Sequence, residues 1–407
     1  MRRLLILLAI LPLTAQAQIG RLGENVRYGA SMSGMASSGD YAPFWFTANR
    51  YGLATPNNES FLTRAFIGRS TTADSSRHWR VGYGADFAVA AGMDNHFILQ
   101  QLYAEVQWKA LRLSVGQKER TLTLLNDSLS SGAMTTGINT RPLPQVRLEL
   151  PDFWTVPGTH RWLALKAHIA MGAYTDNGWQ RSSTKTHSLP YTNNSLYHSK
   201  ELLLRIGNRE RFPLTLTGGL EMSTQFGGEG WNMGQRLDDG TVLSSHRKLF
   251  HGLSSIWHAI IPGGGDEDDG DFANAEGNML GSWHLRADWQ GKGWSASAYL
   301  EHYFEDESQL FWQYGWKDFL LGVEVSLPRN PILSTVLYEH LGTMDQSGCV
   351  YHDSRENLPE QISAIDEYYN HHVYGAWQHA GYVMGNPLIL SPIYNREGRI
   401  YCYYNRV

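Results

Sequence analysis

The feature that most constrains the fold is a two-residue alternation of apolar and polar side chains, repeated in segments of about ten residues. In the segment that begins at Leu214, even-numbered positions are mostly apolar and odd-numbered positions are polar or small. The even set is Leu214, Leu216, Leu220, Met222 and Phe226, and the odd set is Thr215, Thr217, Gly219, Glu221, Ser223 and Gln225. Because alternate side chains of a strand point to opposite faces, this pattern predicts a β-strand with one apolar face.

The same alternation predicts a series of strands joined by turns. Residues 280–290 and 294–304 alternate on either side of the turn Gly291-Lys292-Gly293. Further predicted strands are Leu62 to Ser70, Arg80 to Ala90, Ile98 to Trp108, Leu111 to Lys118, Gln145 to Leu150, Trp162 to Tyr174, Glu201 to Gly207, Phe319 to Leu327, Ile332 to Leu341 and Arg399 to Tyr404. Alternating segments separated by Gly, Asn, Asp or Pro are typical of antiparallel sheets.

Two architectures share this alternation, a soluble β-sandwich and a membrane β-barrel. Strands of soluble sheets usually have about five or six residues, whereas these segments match the longer strands of a barrel. Trp108, Trp289 and Trp294 flank short turns, where an aromatic girdle would place indole rings at the lipid–water boundary. We therefore predict an all-β fold, a transmembrane antiparallel β-barrel of the outer membrane with these three residues as its interface girdle. A sandwich whose core they cap is the alternative.

One segment has helical rather than strand spacing. Between Lys248 and Ile261 the apolar residues recur every three or four positions, and Pro262 follows. We expect a short amphipathic helix that lies in a loop or plugs the barrel lumen.

The first residues predict export. Arg2 and Arg3 precede an apolar run from Leu4 to Leu13, and a small-residue site ends at Ala17. This is the organisation of a secretory signal peptide at residues 1–17, cleaved to leave one barrel domain at residues 18–407.

Charge and cysteine content argue against several classes of protein. Without the two arginines of the signal peptide, 32 basic residues face 39 acidic ones, a formal charge of 32 − 39 = −7. Such a chain is a poor partner for nucleic acid. Cys349 and Cys402 are far apart and lack metal-type spacing, so neither a disulfide framework nor a cysteine zinc site is expected.

No metal, cofactor or catalytic motif stands out. The acidic stretch at residues 263–271 lacks the ligand spacing of a calcium loop, and the adjacent residues His371 and His372 would point to opposite faces of a strand. No Gly-x-Ser-x-Gly elbow is present. We expect a protein that is not an enzyme and has no cofactor, with an outer-membrane hydrolase built on an unrecognised Ser–His pair as a competing hypothesis.

Several loop-like stretches combine aromatic rings with amide, imidazole or guanidinium groups, the mixture that carbohydrate recognition requires. They are Trp179, Tyr191 to Asn194, Trp231 to Arg236 and Tyr368 to His372. Tyrosine-rich loops also occur at ordinary barrel rims, so composition leaves both interpretations open.

Four blocks in chain order resemble the Wzi capsule-assembly family as it occurs in Bacteroidetes. The first is Pro43-Phe44-Trp45 with Asn49-Arg50-Tyr51-Gly52, and the second is residues 129–134 with Arg141-Pro142-Leu143-Pro144-Gln145-Val146-Arg147-Leu148. The third is residues 196–200 with 204–207, and the fourth is Tyr369-Asn370-His371 with residues 385–388 and 391–395. Each block is a weak match, but four in order across the mature chain are specific.

The resemblance implies a barrel of about eighteen strands whose lumen is closed by loops and helical segments. It further implies a lectin-like protein of the Gram-negative outer membrane that binds capsular polysaccharide or exopolysaccharide and retains it at the surface. Outer-membrane lipid and the barrel assembly machinery would be its other partners. The candidate carbohydrate-binding residues are Trp45, Asn49, Arg50, Arg141, Arg205, Trp231, Tyr369, Asn370 and His371.

Other interpretations of the same residues remain. Arg50, Arg141, Arg205, Glu221 and Glu301 would equally well brace the barrel interior with salt bridges. A porin whose polar lumen passes small solutes is the alternative function. Members of the family usually run longer, and this chain stops at Arg406-Val407 within an apparent strand, so we expect the last strands of the barrel to be absent.

Overall fold

The computed structural model describes residues 22–184, 191–233, 246–262, 276–305, 318–344, 368–371 and 373–389. The predicted signal peptide, the acidic stretch at 263–271 and the predicted strand from Arg399 to Tyr404 lie outside the described residues. Within the described chain, none of the helices has the length and apolar character that a membrane crossing needs.

Thirteen strands form one antiparallel sheet in which neighbours in sequence are neighbours in space. They are β1 (Arg27–Ala36), β2 (Glu59–Arg69), β3 (Trp79–Ala91), β4 (Phe97–Trp108), β5 (Leu111–Gln117), β6 (Gln145–Thr155), β7 (Leu163–Ala173), β9 (Leu196–Ile206), β10 (Leu214–Phe226), β13 (Asn278–Gln290), β14 (Ser295–Glu305), β15 (Phe319–Ser326) and β16 (Thr335–Gly342). Most of these strands have the length that crossing an outer membrane requires.

The remaining elements are short and lie in the connections. A second sheet contains β8 (Tyr191–Asn193), β11 (Glu229–Trp231) and β12 (Arg247–Lys248), and two small hairpins pair β17 (Asn370–His371) with β18 (Gly375–Ala376) and β19 (Gln378–His379) with β20 (Tyr382–Val383). The helices are α1 (Phe44–Thr47), α2 (Asn177–Thr184) and α3 (Leu253–Ile260), with a 3-10 turn at Thr71–Asp74.

The two faces of the large sheet confirm the predicted fold class. On β10 the side chain of Leu216 is 50% exposed, whereas its neighbours Thr215 and Thr217 are each 2% exposed. The other strands repeat this arrangement, with apolar residues outward and polar residues inward. A soluble sandwich would bury the apolar face, so the sheet is the wall of an outer-membrane β-barrel whose apolar face meets lipid.

Long and short connections lie at opposite ends of the wall. Only Lys109 and Ala110 separate β4 from β5, whereas residues 118–144 connect β5 to β6 at the other end. In outer-membrane barrels the short turns are periplasmic and the long loops are extracellular. We call these ends the turn end and the long-loop end.

Three sequence predictions need adjustment. The helix predicted from Lys248 begins only at Leu253, because residues 247–248 form β12 and Gly252 has a φ of 86°. The strand β1 was not predicted, since its Gly, Ala and Ser residues give no clear alternation. The strand predicted from Glu201 begins at Leu196, within the third family-like block.

Candidate functional site

The lumen contains two inserted segments, residues 118–144 and 368–389, which together we call the plug. The indole Nε1 of Trp377 donates to the carbonyl of Thr135 at 2.8 Å, and the amide of Asn139 donates through Nδ2 to the carbonyl of Val383 at 3.1 Å. Trp377 is 0% exposed. The two segments therefore form one body, although more than 200 residues separate them in sequence.

Carboxylates of the wall hold the plug in place. The backbone amide of Met134 donates to Glu301 Oε1 at 2.8 Å. Glu339 accepts from the backbone amide of Ser131 and from the hydroxyl of Ser130, both at 2.7 Å. These contacts anchor the plug to two nearby strands of the wall, β14 and β16.

Ion pairs brace the inner face beside the plug. Arg112 Nε and Arg147 Nε each lie 2.8 Å from an oxygen of Glu149, and Lys118 Nζ lies 2.6 Å from Glu105 Oε2. These pairs are partly or fully buried, and each charge has an opposite partner. These inward-facing charges of β4 to β6 therefore have a structural role.

A further group of inward charges lies between the plug and β7 to β14. Its members are His168, Glu201, Glu221, His284 and Glu301. His168 Nδ1 lies 3.7 Å from Glu201 Oε1, and His284 Nε2 lies 3.6 Å from Glu221 Oε2. Glu221 and Glu301 face the barrel interior, as one of the two sequence interpretations expected.

An open cavity of about 790 Å³ lies between the plug and the wall near the long-loop end. Its lining includes Phe46, Asn49, Arg50, Tyr51, Arg64 and Asp127. Phe46 and Arg50 are exposed. The cavity lining therefore contains an aromatic ring, a guanidinium group, hydroxyl groups and a carboxylate.

The backbone around Arg50 is rigidly held. Asn49 and Tyr51 have φ angles of 56° and 53°, and the amide of Tyr51 donates to the carbonyl of Ile138 at 2.7 Å. The Asn49 side chain donates to the carbonyl of Ser131 at 2.9 Å. Thus this block docks on the plug through its backbone and through Asn49. Among the described residues, the Arg50 side chain donates only to the carbonyl of Trp45, at 3.4 Å.

Gly52 shows why this close approach needs glycine. Its φ is 67°, and a Cβ atom there would lie 2.8 Å from Arg141 Cγ and 2.9 Å from Arg141 N. Arg141 is a half-buried residue of the plug, and burial lowers the pKa of its guanidinium. The sequence blocks around residues 49–52 and 141 therefore meet as parts of one packed interface.

Three aromatic rings stack on the small sheet of β8, β11 and β12. The rings of Trp231 and Tyr191 lie 6.4 Å apart at 10°, and those of Trp231 and His246 lie 4.1 Å apart at 31°. We call Tyr191, Trp231 and His246 the ring stack. It lies in the connections of the long-loop end, as the cavity does.

Trp45 is exposed and directly precedes Phe46 in α1. Three other predicted carbohydrate-binding residues, Arg205, Tyr369 and His371, are outside the cavity lining. Tyr369 is buried in the plug, where its hydroxyl donates to the carbonyl of Met134. Arg205 lies 3.5 Å over the ring of Phe153 on the wall near the turn end. His371 Nδ1 accepts from the amide of Val373 at 3.1 Å, and Asn370 lies beside it in β17.

The three predicted girdle residues all lie at the turn end and are exposed. Trp108 lies 6.3 Å from Trp79 by ring centroids, and Trp289 lies 5.9 Å from Phe212. Trp294 follows directly after the same turn as Trp289. They occupy one level of the wall, as an interface girdle would.

Sequence reasoning missed Phe46, Arg64, Asp127, Glu339 and Trp377. Phe46 adjoins the first family-like block, so its aromatic ring beside Arg50 was an available signal. Asp127 accepts from the backbone amide of Leu122 at 2.7 Å. The partners of Arg64, Glu339 and Trp377 lie farther away along the chain. Arg64, for example, binds Asp86 at 2.5 Å and Glu119 at 2.8 Å.

No protein-family model and no curated protein matches the sequence. Among solved structures, the chain is similar to Wzi, an outer-membrane protein involved in group 1 capsule assembly in Escherichia coli and described as a carbohydrate-binding β-barrel. The TM-score is 0.51 at 14% identity, and the match covers 95% of this chain and 67% of that one. A Salmonella typhi OmpF structure matches with a TM-score of 0.32 at 8% identity over 80% of this chain and 91% of that one. The Wzi likeness supports the barrel fold, and the OmpF match is too weak to carry an argument.

Proposed function

We propose that the protein binds capsular polysaccharide or exopolysaccharide at its long-loop end and retains it on the outer membrane, without catalysing a reaction. The observation that carries this proposal is the combination of a filled lumen with an open cavity at the extracellular end. In the cavity, the exposed Phe46 and Arg50 supply the two kinds of contact that sugars require. The protein called Wzi, which shares the fold, is described as carbohydrate-binding.

The chemistry of the cavity suits a sugar ring with polar substituents. The ring of Phe46 can cover the apolar C–H face of a pyranose, as aromatic side chains do. Arg50 can donate several hydrogen bonds to hydroxyl or carboxylate oxygens, and its rigid backbone lowers the entropy lost on binding. Asp127 adds an acceptor for hydroxyl groups.

The ring stack offers a second contact for a long polymer. Tyr191, Trp231 and His246 present stacked rings on a neighbouring loop sheet at the same end of the barrel. A polysaccharide that touches two weak sites dissociates much more slowly than one that touches a single site. Retention of a polymer therefore does not require a high affinity for one sugar unit.

The filled lumen favours retention over transport. Leu280 and Leu320 on the inner face of the wall are fully buried with Trp377 in the cluster that joins plug and wall. Passage of a solute along this part of the lumen would require the plug to leave. The outer-membrane lipid and the barrel assembly machinery complete the set of proposed partners.

Deletion of the gene tests the proposal in the cell. We expect the deletion strain to synthesise polysaccharide but release it into the medium, and the intact gene in trans to restore the cell-bound fraction. An unchanged cell-bound fraction would contradict retention. A steady open conductance of the full-length protein in a planar bilayer would favour the porin alternative instead.

A further inference from the structure

Helix α3 lies against the outer surface of the barrel wall. On β9 the even-numbered residues Leu202 and Leu204 point outward and are exposed, so Lys200 points outward as well. Its Nζ donates to the carbonyl of Ile260, the last residue of α3. A lysine at the C-terminal end of a helix stabilises the free carbonyls there. Helix α3, which belongs to the connection from β10 to β13, therefore lies against the outside of the wall.

Some outward-facing side chains of the wall next to this connection are buried. By strand register, Met222 of β10, Met279 of β13 and Phe304 of β14 share the outward face, and they pack into one cluster. Met279 is only 1% exposed, in contrast to Leu216 lower on the same outward face. Helix α3 packs against β9 and β10 beside this cluster.

The helix turns its small and polar side toward the protein. Ser255 and Ala259 are buried, and the Ser255 hydroxyl donates to the Glu276 carboxylate. His258 Nδ1 lies 2.7 Å from the other oxygen of Glu276. These contacts set the rotation of the helix about its axis.

The opposite side of the helix is apolar and exposed. Leu253, Trp257 and Ile261 follow each other at four-residue spacing and are 83%, 58% and 48% exposed. Residues 249–262 contain no Lys, Arg, Asp or Glu. Four-residue spacing places these side chains on one stripe along the helix, and that stripe points away from the protein.

The level of the helix on the wall falls within the membrane. Lys200 lies six residues from Ile206 at the turn end of β9, and a tilted strand advances about 14 Å over that distance. The apolar band of such a barrel is about 25 Å tall, so this point lies just beyond its middle, in the outer half. Ile169, the register partner of Lys200 on β7, is an exposed apolar residue of the same outer surface.

We propose that α3 is a lipid-contacting helix, whose stripe Leu253, Trp257 and Ile261 inserts among the acyl chains of the outer leaflet. The stripe is continuous with the lipid-facing wall, which identifies lipid as its occupant. The proposal rests on the barrel fold and is independent of polysaccharide binding.

Spin-label accessibility tests the proposal. Cys349→Ser and Cys402→Ser remove the native thiols, and a nitroxide is then attached in separate variants at Leu253→Cys and Trp257→Cys. Leu202→Cys on the wall is the reference for lipid, and Arg161→Cys in an exposed turn is the reference for water. Each full-length variant is placed as a single copy in a lipid nanodisc, and collision rates with oxygen and with a water-soluble nickel complex are compared.

We expect both helix positions to match Leu202, with oxygen collisions exceeding nickel collisions. A ratio like that of Arg161 would show a water-exposed stripe, and low rates with both reagents would show a stripe covered by protein; either result would overturn the proposal. Trp257→Phe provides a test without a label. Quenching by lipids brominated on their acyl chains should be smaller in this variant than in the unmodified protein, and equal quenching would also count against lipid contact.

Discussion

Glu339 on the last described wall strand accepts hydrogen bonds from both Ser130 and Ser131 of the plug, each at 2.7 Å. The same carboxylate also accepts from the hydroxyl of Tyr299 on β14. One wall residue thus joins the plug to two strands. This contact is one of several that hold the plug in the lumen, together with Glu301 and the buried cluster around Trp377.

Loss of this carboxylate should loosen the plug. In Glu339→Ala the amide of Ser131 and the hydroxyl of Ser130 lose their acceptor, which costs about 1–3 kcal/mol. We expect plug release to become about tenfold or more frequent, seen as brief openings in single-channel recordings of the full-length protein. Glu210→Ala, in an exposed turn, is the matched control and should stay closed. Recordings of Glu339→Ala that match the control would show that this contact does not hold the plug.

Protonation of His379 should destabilise the plug in acid. This residue is fully buried, with Nδ1 beside the carbonyl of Arg141 and Nε2 beside the hydroxyl of Thr175. Burial lowers the pKa of His379 from 6.5 to about 4, with Asp176 opposing and Arg141 adding to the shift. Because the unfolded state binds the proton more tightly, stability should be complete above pH 6.5 and fall as the pH drops toward 4, by at most about 3 kcal/mol.

Urea unfolding of the detergent-folded protein at pH 7.5 and pH 5 measures this effect. The loss of stability between these values should be smaller in His379→Gln than in the unmodified protein. His78→Gln, at an exposed position, should retain the full loss. Equal losses in all three proteins would assign the acid sensitivity to other groups.

The girdle makes a prediction about membrane insertion. Trp289→Ala removes an exposed indole from the turn end, where its ring contacts Phe212. We expect the free energy of folding into lipid vesicles to become less favourable by about 1 kcal/mol, since the amphipathic ring no longer occupies the interface. Trp289→Phe keeps most of the apolar surface and should lose less. If Trp289→Ala folds as well as the unmodified protein, Trp289 does not stabilise the barrel at the interface.

The ring stack makes a prediction about polymer length. Trp231→Ala removes the central ring between Tyr191 and His246. We expect the affinity for long polysaccharide to fall about tenfold, while the affinity for a single repeating unit changes little, because a second contact matters only to a polymer that reaches it. Titration calorimetry with both ligands measures the two affinities, and an equal effect on both would assign Trp231 to the primary site.

The strands of the wall were predictable from the sequence because the alternation that produces each strand lies within one short segment. Alternation along residues 214–226 predicts which side chains point outward, and burial alternates with it from Leu214 to Thr217. From Glu221 to Phe226 both faces are buried. The turns between long strands were equally visible, as at Lys109-Ala110. The strand β1 was not predicted because Gly and Ala residues occur on either face of a sheet, so its sequence shows no clear apolar–polar alternation.

The plug and the cavity were not predictable in the same way, since their contacts join distant parts of the chain. Asn139 and Val383 are hydrogen-bonded across 244 positions, and no local pattern reports such a pairing. The family-like blocks marked the right segments but not the roles of their residues. Asn49 and Tyr369 hold the plug together, whereas Arg50 faces the open cavity.

Glycan binding tests whether the cavity is the polysaccharide-binding site. The full-length, detergent-folded protein is titrated with capsular polysaccharide from its own strain and with capsule-free lipopolysaccharide, alongside Phe46→Ala, Arg50→Ala and the exposed-turn control Arg161→Ala. We expect selective binding of capsular polysaccharide that falls about tenfold or more in the first two variants and is unchanged in the control. Absence of binding by the folded protein, or binding that is equal in all variants, would contradict it.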